Sequence, residues 1–282
     1  MKRLIVTGDD FGLALPVNEA IERAHKQGIL GSTSLMVGAP AAEDAIHRAR
    51  RLPELKVGLH VTVVRGRPTL HPADVPDLVD ATGNFSPHLV RSSLRFFFRP
   101  AARRQMAAEI RAQFEAFRRT GLPLDHVDAH NHMHLHPTVL RLILAVGRDY
   151  GLRAMRLPRE PALASWRAAR RGLAVRLAAR ALLAPWLALM QRRLARAGIR
   201  HNDWIFGMTD TGRMTEELVL AQLANLPPGL TEIYLHPATR RWEGIDPLLT
   251  PYELERELEA LTSPAVAEAI RALGLDVDSG RL

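Results

Sequence analysis

Seven short apolar runs, alternating with helix-length amphipathic segments, constrain this chain more than any other feature of its sequence. The runs are Leu4–Thr7, Ser32–Val37, Val57–Val63, the stretch entering Asp128, Ala154–Leu157, Asp203–Phe206 and Thr231–His236. Each is strand-sized and bounded by turn-forming residues. Between them, helical spacing predicts helices at Pro16–Gln27, Ala41–Leu52, Ala101–Thr120, Thr138–Tyr150, Thr215–Ala224, Pro251–Leu261 and Pro264–Leu273. Pro16 opens the first of these and Gly28 closes it, as proline and glycine do at helix ends. Parallel strands cannot be joined by a tight turn, so this order predicts a mainly parallel sheet with right-handed crossovers. The chain is expected to be α/β.

Polar residues gather where these strands end. Asp9 and Asp10 follow the first strand, His60 lies on the third, and His236 closes the seventh. The fourth leads into Leu124–Pro137, where Asp128, His130, His132, His134 and His136 fall at every second position. In an extended strand that period gathers all five on one face. Imidazole is both a metal ligand and an acid or base near neutral pH, so a comb of histidines admits either use, and a solvated polar loop is the plain alternative. Asp9 or Asp10 could instead cap the first helix, and His60 and His236 could be structural. Convergence of strand ends at one rim is what a barrel enforces, so the expected fold is a distorted, TIM-like (β/α) barrel.

Composition narrows the chemistry. The 282 residues contain no cysteine, which removes thiolate metal sites, disulfides and thiol nucleophiles. A formal charge of +8 invites an anionic partner. The excess is local: from 161 to 202 there are arginines at 167, 170, 171, 176, 180, 192, 193, 196 and 200, and no acidic residue. We therefore expect one domain over 1–282 with an Arg-rich helical insertion at 161–202. Its predicted helices, Ser165–Arg180 and Pro185–Arg200, mix arginine with Ala, Leu and Trp, as helices at a membrane interface do. Packing on the barrel with a solvated basic face is the alternative. Nucleic-acid binding is disfavoured, because no recognition motif is present and the His/Asp set has no use there.

The segment from Arg65 to Pro100 is irregular, with Phe96–Phe98 between Arg95 and Arg99. No signal peptide is expected, since the apolar run after Met1 is very short, and a cytoplasmic location follows. The longest apolar stretch, Ala181–Met190, contains Pro185, so no transmembrane helix is expected.

Four pieces taken together carry a resemblance: Asp9-Asp10-Phe11-Gly12 with Asn18-Glu19, Gly58-Leu59-His60, Asp128-Ala129-His130-Asn131-His132-Met133-His134, and Glu232-Ile233-Tyr234-Leu235-His236-Pro237. In this order, over nearly the whole chain, they resemble the YdjC/ChbG-like carbohydrate deacetylases. Within that family the chain is most similar to the hopanoid-biosynthesis-associated member, HpnK. The resemblance implies a distorted barrel, one divalent metal ion (Mg²⁺ or Zn²⁺) and hydrolysis of an N-acetyl group from a sugar. For this branch it implies an N-acetylglucosaminyl hopanoid as substrate. It puts the metal on Asp10, His60 and His130, makes Asp9 the base, and leaves His132 and His134 behind the ligands or against the substrate. We assign His236 as the acid that protonates the leaving amine. The implied partners are an N-acetylated sugar, possibly lipid-linked, and an anionic membrane surface at its inner face. Soluble chitooligosaccharides are the alternative substrate, and a metal-dependent phosphoesterase or a glycosidase the alternative chemistries.

Overall fold

A computed structural model describes residues 2–275. Six parallel strands form one sheet: β1 (Lys2–Phe11), β2 (Ser32–Leu35), β3 (Lys56–Val61), β4 (Val127–Ala129), β5 (Trp204–Phe206) and β6 (Gly229–Leu235), in the order β4-β3-β2-β1-β6-β5. β1 is central, and from Leu4 to Phe11 every residue is buried. A parallel strand flanked on both sides and covered on both faces must be apolar along its length, as Leu4-Ile5-Val6 is. β1 runs in unbroken register with β6, from Lys2↔Gly229 to Gly8↔Leu235. Against β2 it slips between Gly8 and Phe11, at Asp9-Asp10, where Asp10 has φ 65. A bulge of this kind breaks the strict alternation of side chains and re-aims them.

The helices are α1 (Leu15–Gln27), α2 (Ala42–Arg50), α3 (Leu89–Phe98), α4 (Pro100–Arg119), α5 (Pro137–Gly147), α6 (Ala162–Ala169), α7 (Leu173–Arg196), α8 (Glu216–Ala224), α9 (Leu254–Thr262) and α10 (Pro264–Ala272). The fold is the expected distorted, barrel-like α/β sheet, curled rather than fully closed. The expected fifth strand, Ala154–Leu157, is present only as bridges: Met155 pairs with Val127 of β4, and Ala154 with Arg200. Beyond it, Ile205 of β5 donates its N–H to the Arg159 carbonyl (3.0 Å), so residues 154–159 span the gap between the two sheet edges. Among the described residues six strands stand where seven were expected, because this segment never forms a ladder.

Three other expectations change. The histidine comb is extended only over Val127–Ala129; a 3₁₀ turn follows at His130–Leu135, with Asn131 at φ 51 and His132 at φ 52. Two left-handed residues in succession destroy the period-two alignment, so the five side chains do not share a face. Second, the irregular 65–100 segment contains α3, and antiparallel bridges join Phe85 to Gly66 and Val79. Third, the basic helices divide at Arg170 (φ 54) and Gly172 (φ 66), not at Pro185, which lies inside α7. The apolar run is therefore not cut short, and by length and composition alone α7 is long and apolar enough to cross a membrane. Its outer surface is largely exposed. On its inner side Leu187, Met190 and Leu194 join the core, and Arg176 is buried against both carboxylate oxygens of Asp210 (2.8 Å each).

Candidate active site

The carboxyl ends of β1, β3, β4 and β6 bring Asp10, His60, His130 and His236 to one cleft of about 1040 Å³. Neither aspartate of β1 caps a helix: the residue before α1 is Ala14, with no side-chain cap. The turn after β1 is fixed instead by buried Asn18, which accepts from the Gly12 N–H (2.8 Å) and donates to the Ala41 carbonyl (2.9 Å). Asn18 thus sets the exit path of the chain beside Asp10, which accounts for its place in the motif.

Asp10 Oδ1 lies 3.3 Å from His60 Nε2 and 3.0 Å from His130 Nδ1. These three residues offer ligand atoms within 4.8 Å of one another. One carboxylate and two imidazoles are a donor set suited to zinc, and tolerable to magnesium if water completes the shell. His60 Nδ1 is 2.7 Å from Asp128 Oδ1. That contact fixes the ring and leaves Nε2 directed at Asp10, the arrangement by which a carboxylate orients a metal-binding histidine. Burial opposes charge on His60, but Asp128 and Asp10 overcome it and carry its pKa up to about 10. Burial likewise pushes Asp10 up, and His130, His60 and His236 override it, holding the carboxyl well below its usual range. The pocket draws positive charge to this point, which suits a cation.

Asp9, His60 and Asp128 form a second close group. Its cation is already supplied by the protein. Arg156 donates to both Asp9 oxygens (2.7 and 2.8 Å), lies 2.7 Å from Asp128 Oδ2, and donates to Glu232 Oε1 (2.7 Å). All four residues are buried. A guanidinium forks onto carboxylates in this way, and it fixes Asp9 in one orientation while one of its faces covers the Tyr234 ring at 4.8 Å. Burial would lower the Arg156 pKa, yet Asp128, Asp9 and Glu232 hold it well above its ordinary value.

The remaining residues take distinct places. His132 is on the cleft wall, with Nε2 2.9 Å from the Tyr234 hydroxyl. Burial, with His134 and Arg156, pushes its pKa well down. His134 is fully buried behind it, ring centroids 5.7 Å apart, and is not on the cleft wall, so it does not contact a substrate in this arrangement. His136 sits apart, accepting from the Thr138 N–H at the start of α5. His236 faces the cleft between the rings of Tyr234 and Tyr252 (5.6 and 5.4 Å), and its backbone N–H donates to Glu257 (2.5 Å).

The sequence alone assigns no role in the site to Arg156, Glu232 or Tyr234, and places Asp128 only in the histidine comb. One signal was available: an arginine inside the apolar run Ala154-Met155-Arg156-Leu157 has to be paired if that run is buried.

The YdjC-like protein family model matches residues 3–272. A carbohydrate deacetylase of Vibrio cholerae serotype O1 (strain O395) is 38% identical over 150 residues, which is 52% of this chain and 56% of that protein. The chain thus aligns with little more than half the length of that relative. The carbohydrate deacetylase of Thermoanaerobacter pseudethanolicus is 30% identical over 96% of this chain and 95% of its own. Among solved structures, a protein of Enterococcus faecalis V583 whose proposed role is cellobiose-phosphate cleavage superposes with a TM-score of 0.72. It is 28% identical and covers 98% of this chain and 96% of that one. Matched by the family model over nearly its full length, and 30% identical to a relative that it covers almost end to end, the chain belongs to the YdjC-like family.

Proposed function

We propose that this chain hydrolyses the N-acetyl group of a sugar with one divalent metal ion held by Asp10, His60 and His130. The observation that carries the reading is the convergence of those three side chains at the base of a cleft wide enough for a glycoside, with Asp9 beside them and His236 across from them. The names of the two deacetylase relatives support the same bond. When bound, the metal supplies Lewis-acid polarisation of the acetyl carbonyl and a more acidic water. The chain's own residues do the rest. Asp9, kept in place by the Arg156 fork, accepts the proton of the attacking water. His236 gives a proton to the sugar nitrogen as the C–N bond breaks. His132, held by Tyr234, lines the wall against which the substrate rests.

For the substrate we propose an N-acetylglucosaminyl hopanoid, acted on at the cytoplasmic face of a membrane. The arginines of 161–202 and the exposed apolar side chains of α3 and α7 support this, among them Phe97, Phe98, Val175 and Leu182. Soluble chitooligosaccharides are the second reading, favoured by the carbohydrate relatives. Acetate release from the N-acetylglucosaminyl hopanoid and from chitobiose, assayed side by side, separates the two. Asp9→Asn and His236→Ala should each lower kcat by about 100-fold or more while metal content is retained. Turnover near wild type in either variant removes that residue from proton transfer, and release of phosphate rather than acetate overturns the reading.

A further inference from the structure

A second cavity of about 400 Å³ lies beside the catalytic cleft, between α7 and the segment that bridges β4 to β5. One wall is the row Val175, Ala179, Leu183 and Leu187, spaced four residues apart and so stacked along one face of α7. Trp204 lies on the opposite wall, held flat by Arg159 stacked on its ring at 4.8 Å. Its surface is mainly apolar, with Arg159, Glu160, Arg176, Arg180 and Thr209 also on the wall, and it exists because alanine stands where a larger residue would fill the row. It is open to solvent along Val175, which is 65% exposed. A core void would be closed to solvent, whereas this groove leaves an apolar row of α7 uncovered.

Met208 lies on the wall of both this groove and the catalytic cleft, so the two spaces adjoin at that side chain. Methionine is the side chain best able to shift as a neighbouring apolar group is seated. From 161 to 202 the chain has nine arginines and no acidic residue, and those at 167, 170, 171, 180, 192 and 196 are exposed. An apolar groove set in such a surface matches a hydrocarbon whose surroundings are anionic headgroups.

We propose that this groove is the seat of the apolar aglycone of the substrate, a hydrocarbon chain or fused-ring system attached to the sugar that enters the catalytic cleft. The assignment rests on the deacetylase reading and adds to it a binding site for the non-sugar part. Its occupant is the lipid portion of the same molecule. A second copy of the chain would cover the face equally well in shape but would set two arginine-rich surfaces against each other.

The test compares methyl and dodecyl N-acetyl-β-glucosaminides, the latter below its micellar concentration, with Nile red as an apolar ligand that needs no turnover. Ala179→Trp and Ala184→Trp, at exposed positions of α7, fill the groove from its solvent side. In the unmodified protein the dodecyl glycoside should have a KM lower by about tenfold or more, the order expected when several methylene groups leave water. In either variant that ratio should fall to near one, and Nile red binding should drop in parallel. An unchanged dodecyl-to-methyl ratio and undiminished dye binding in both variants would overturn the assignment. Loss of a concentration-dependent dimer in the variants, seen by sedimentation, would overturn it in favour of a second copy. If neither glycoside released acetate while the variants still lost the dye, the deacetylase reading would fail and the groove would stand as an apolar site.

Discussion

His134 carries two buried ring nitrogens with no hydrogen-bond partner among the described residues. Burial, reinforced by Arg156 and His60 and opposed by Asp128, lowers its pKa from 6.5 to about 3. Between those values the unfolded chain binds a proton that the folded chain does not, so this residue makes stability fall as pH drops from about 6.5 towards 3. Between pH 7 and pH 5 its share is about 2 kcal/mol. Denaturant unfolding at the two pH values should show the wild type losing about that much more than His134→Leu. Equal losses would mean that the imidazole is hydrated or paired in solution. The same residue shows where sequence reading stopped at this scale. Alternation of histidines implies a common face only if the backbone stays extended, and Asn131, a residue type that tolerates positive φ, marks the place where it does not. The convergence of Asp10, His60 and His130 needed only strand ends to be legible. Arg156 needed partners from three distant strands, Asp9, Asp128 and Glu232, and no local pattern carries that information.

Elements were legible where apolar residues and turn formers agreed. β1, β3 and β6, and the helices α1, α4, α9 and α10, lie where spacing put them to within a few residues. Ala154–Leu157 has strand composition but meets its neighbours at single bridges, since pairing is decided by the curl of the sheet and not by the segment. Pro185 predicts a helix boundary because proline removes an intrahelical bond and crowds the preceding turn. Here the neighbouring turns are held by Leu187, Met190 and Leu194 in the core and by the Arg176–Asp210 pair nine residues before it, so the helix continues. That pair is the main polar anchor of α7. Arg176→Met leaves Asp210 buried with only the half-exposed Arg171 beside it, and should lower stability by about 3–5 kcal/mol. Arg192→Gln, at an exposed position, should change it by no more than about 0.5 kcal/mol. Comparable unfolding midpoints for the two variants would show that α7 is held by its apolar side alone.

The whole molecule is a curled parallel sheet whose central strand ends in a bulge, and its design follows from that placement. Strand β1 is the least mobile position available, flanked by β2 and β6 and covered on both sides, so the two carboxylates at its end are held rigidly and aimed apart. One enters a pocket that attracts a cation, and the other is fixed by an internal guanidinium. In the proposed function, that division gives the adjacent aspartates different tasks. The most direct measurement is acetate release from an N-acetylated chitooligosaccharide by chelator-treated protein as zinc or magnesium is added back, for the wild type and Asp10→Asn. Treated protein should release no acetate, recovery should saturate at about one equivalent of metal, as expected of a single site with a few protein ligands, and the variant should not recover. Full activity in chelator-treated protein, or recovery in Asp10→Asn at the same stoichiometry, would contradict the proposed function.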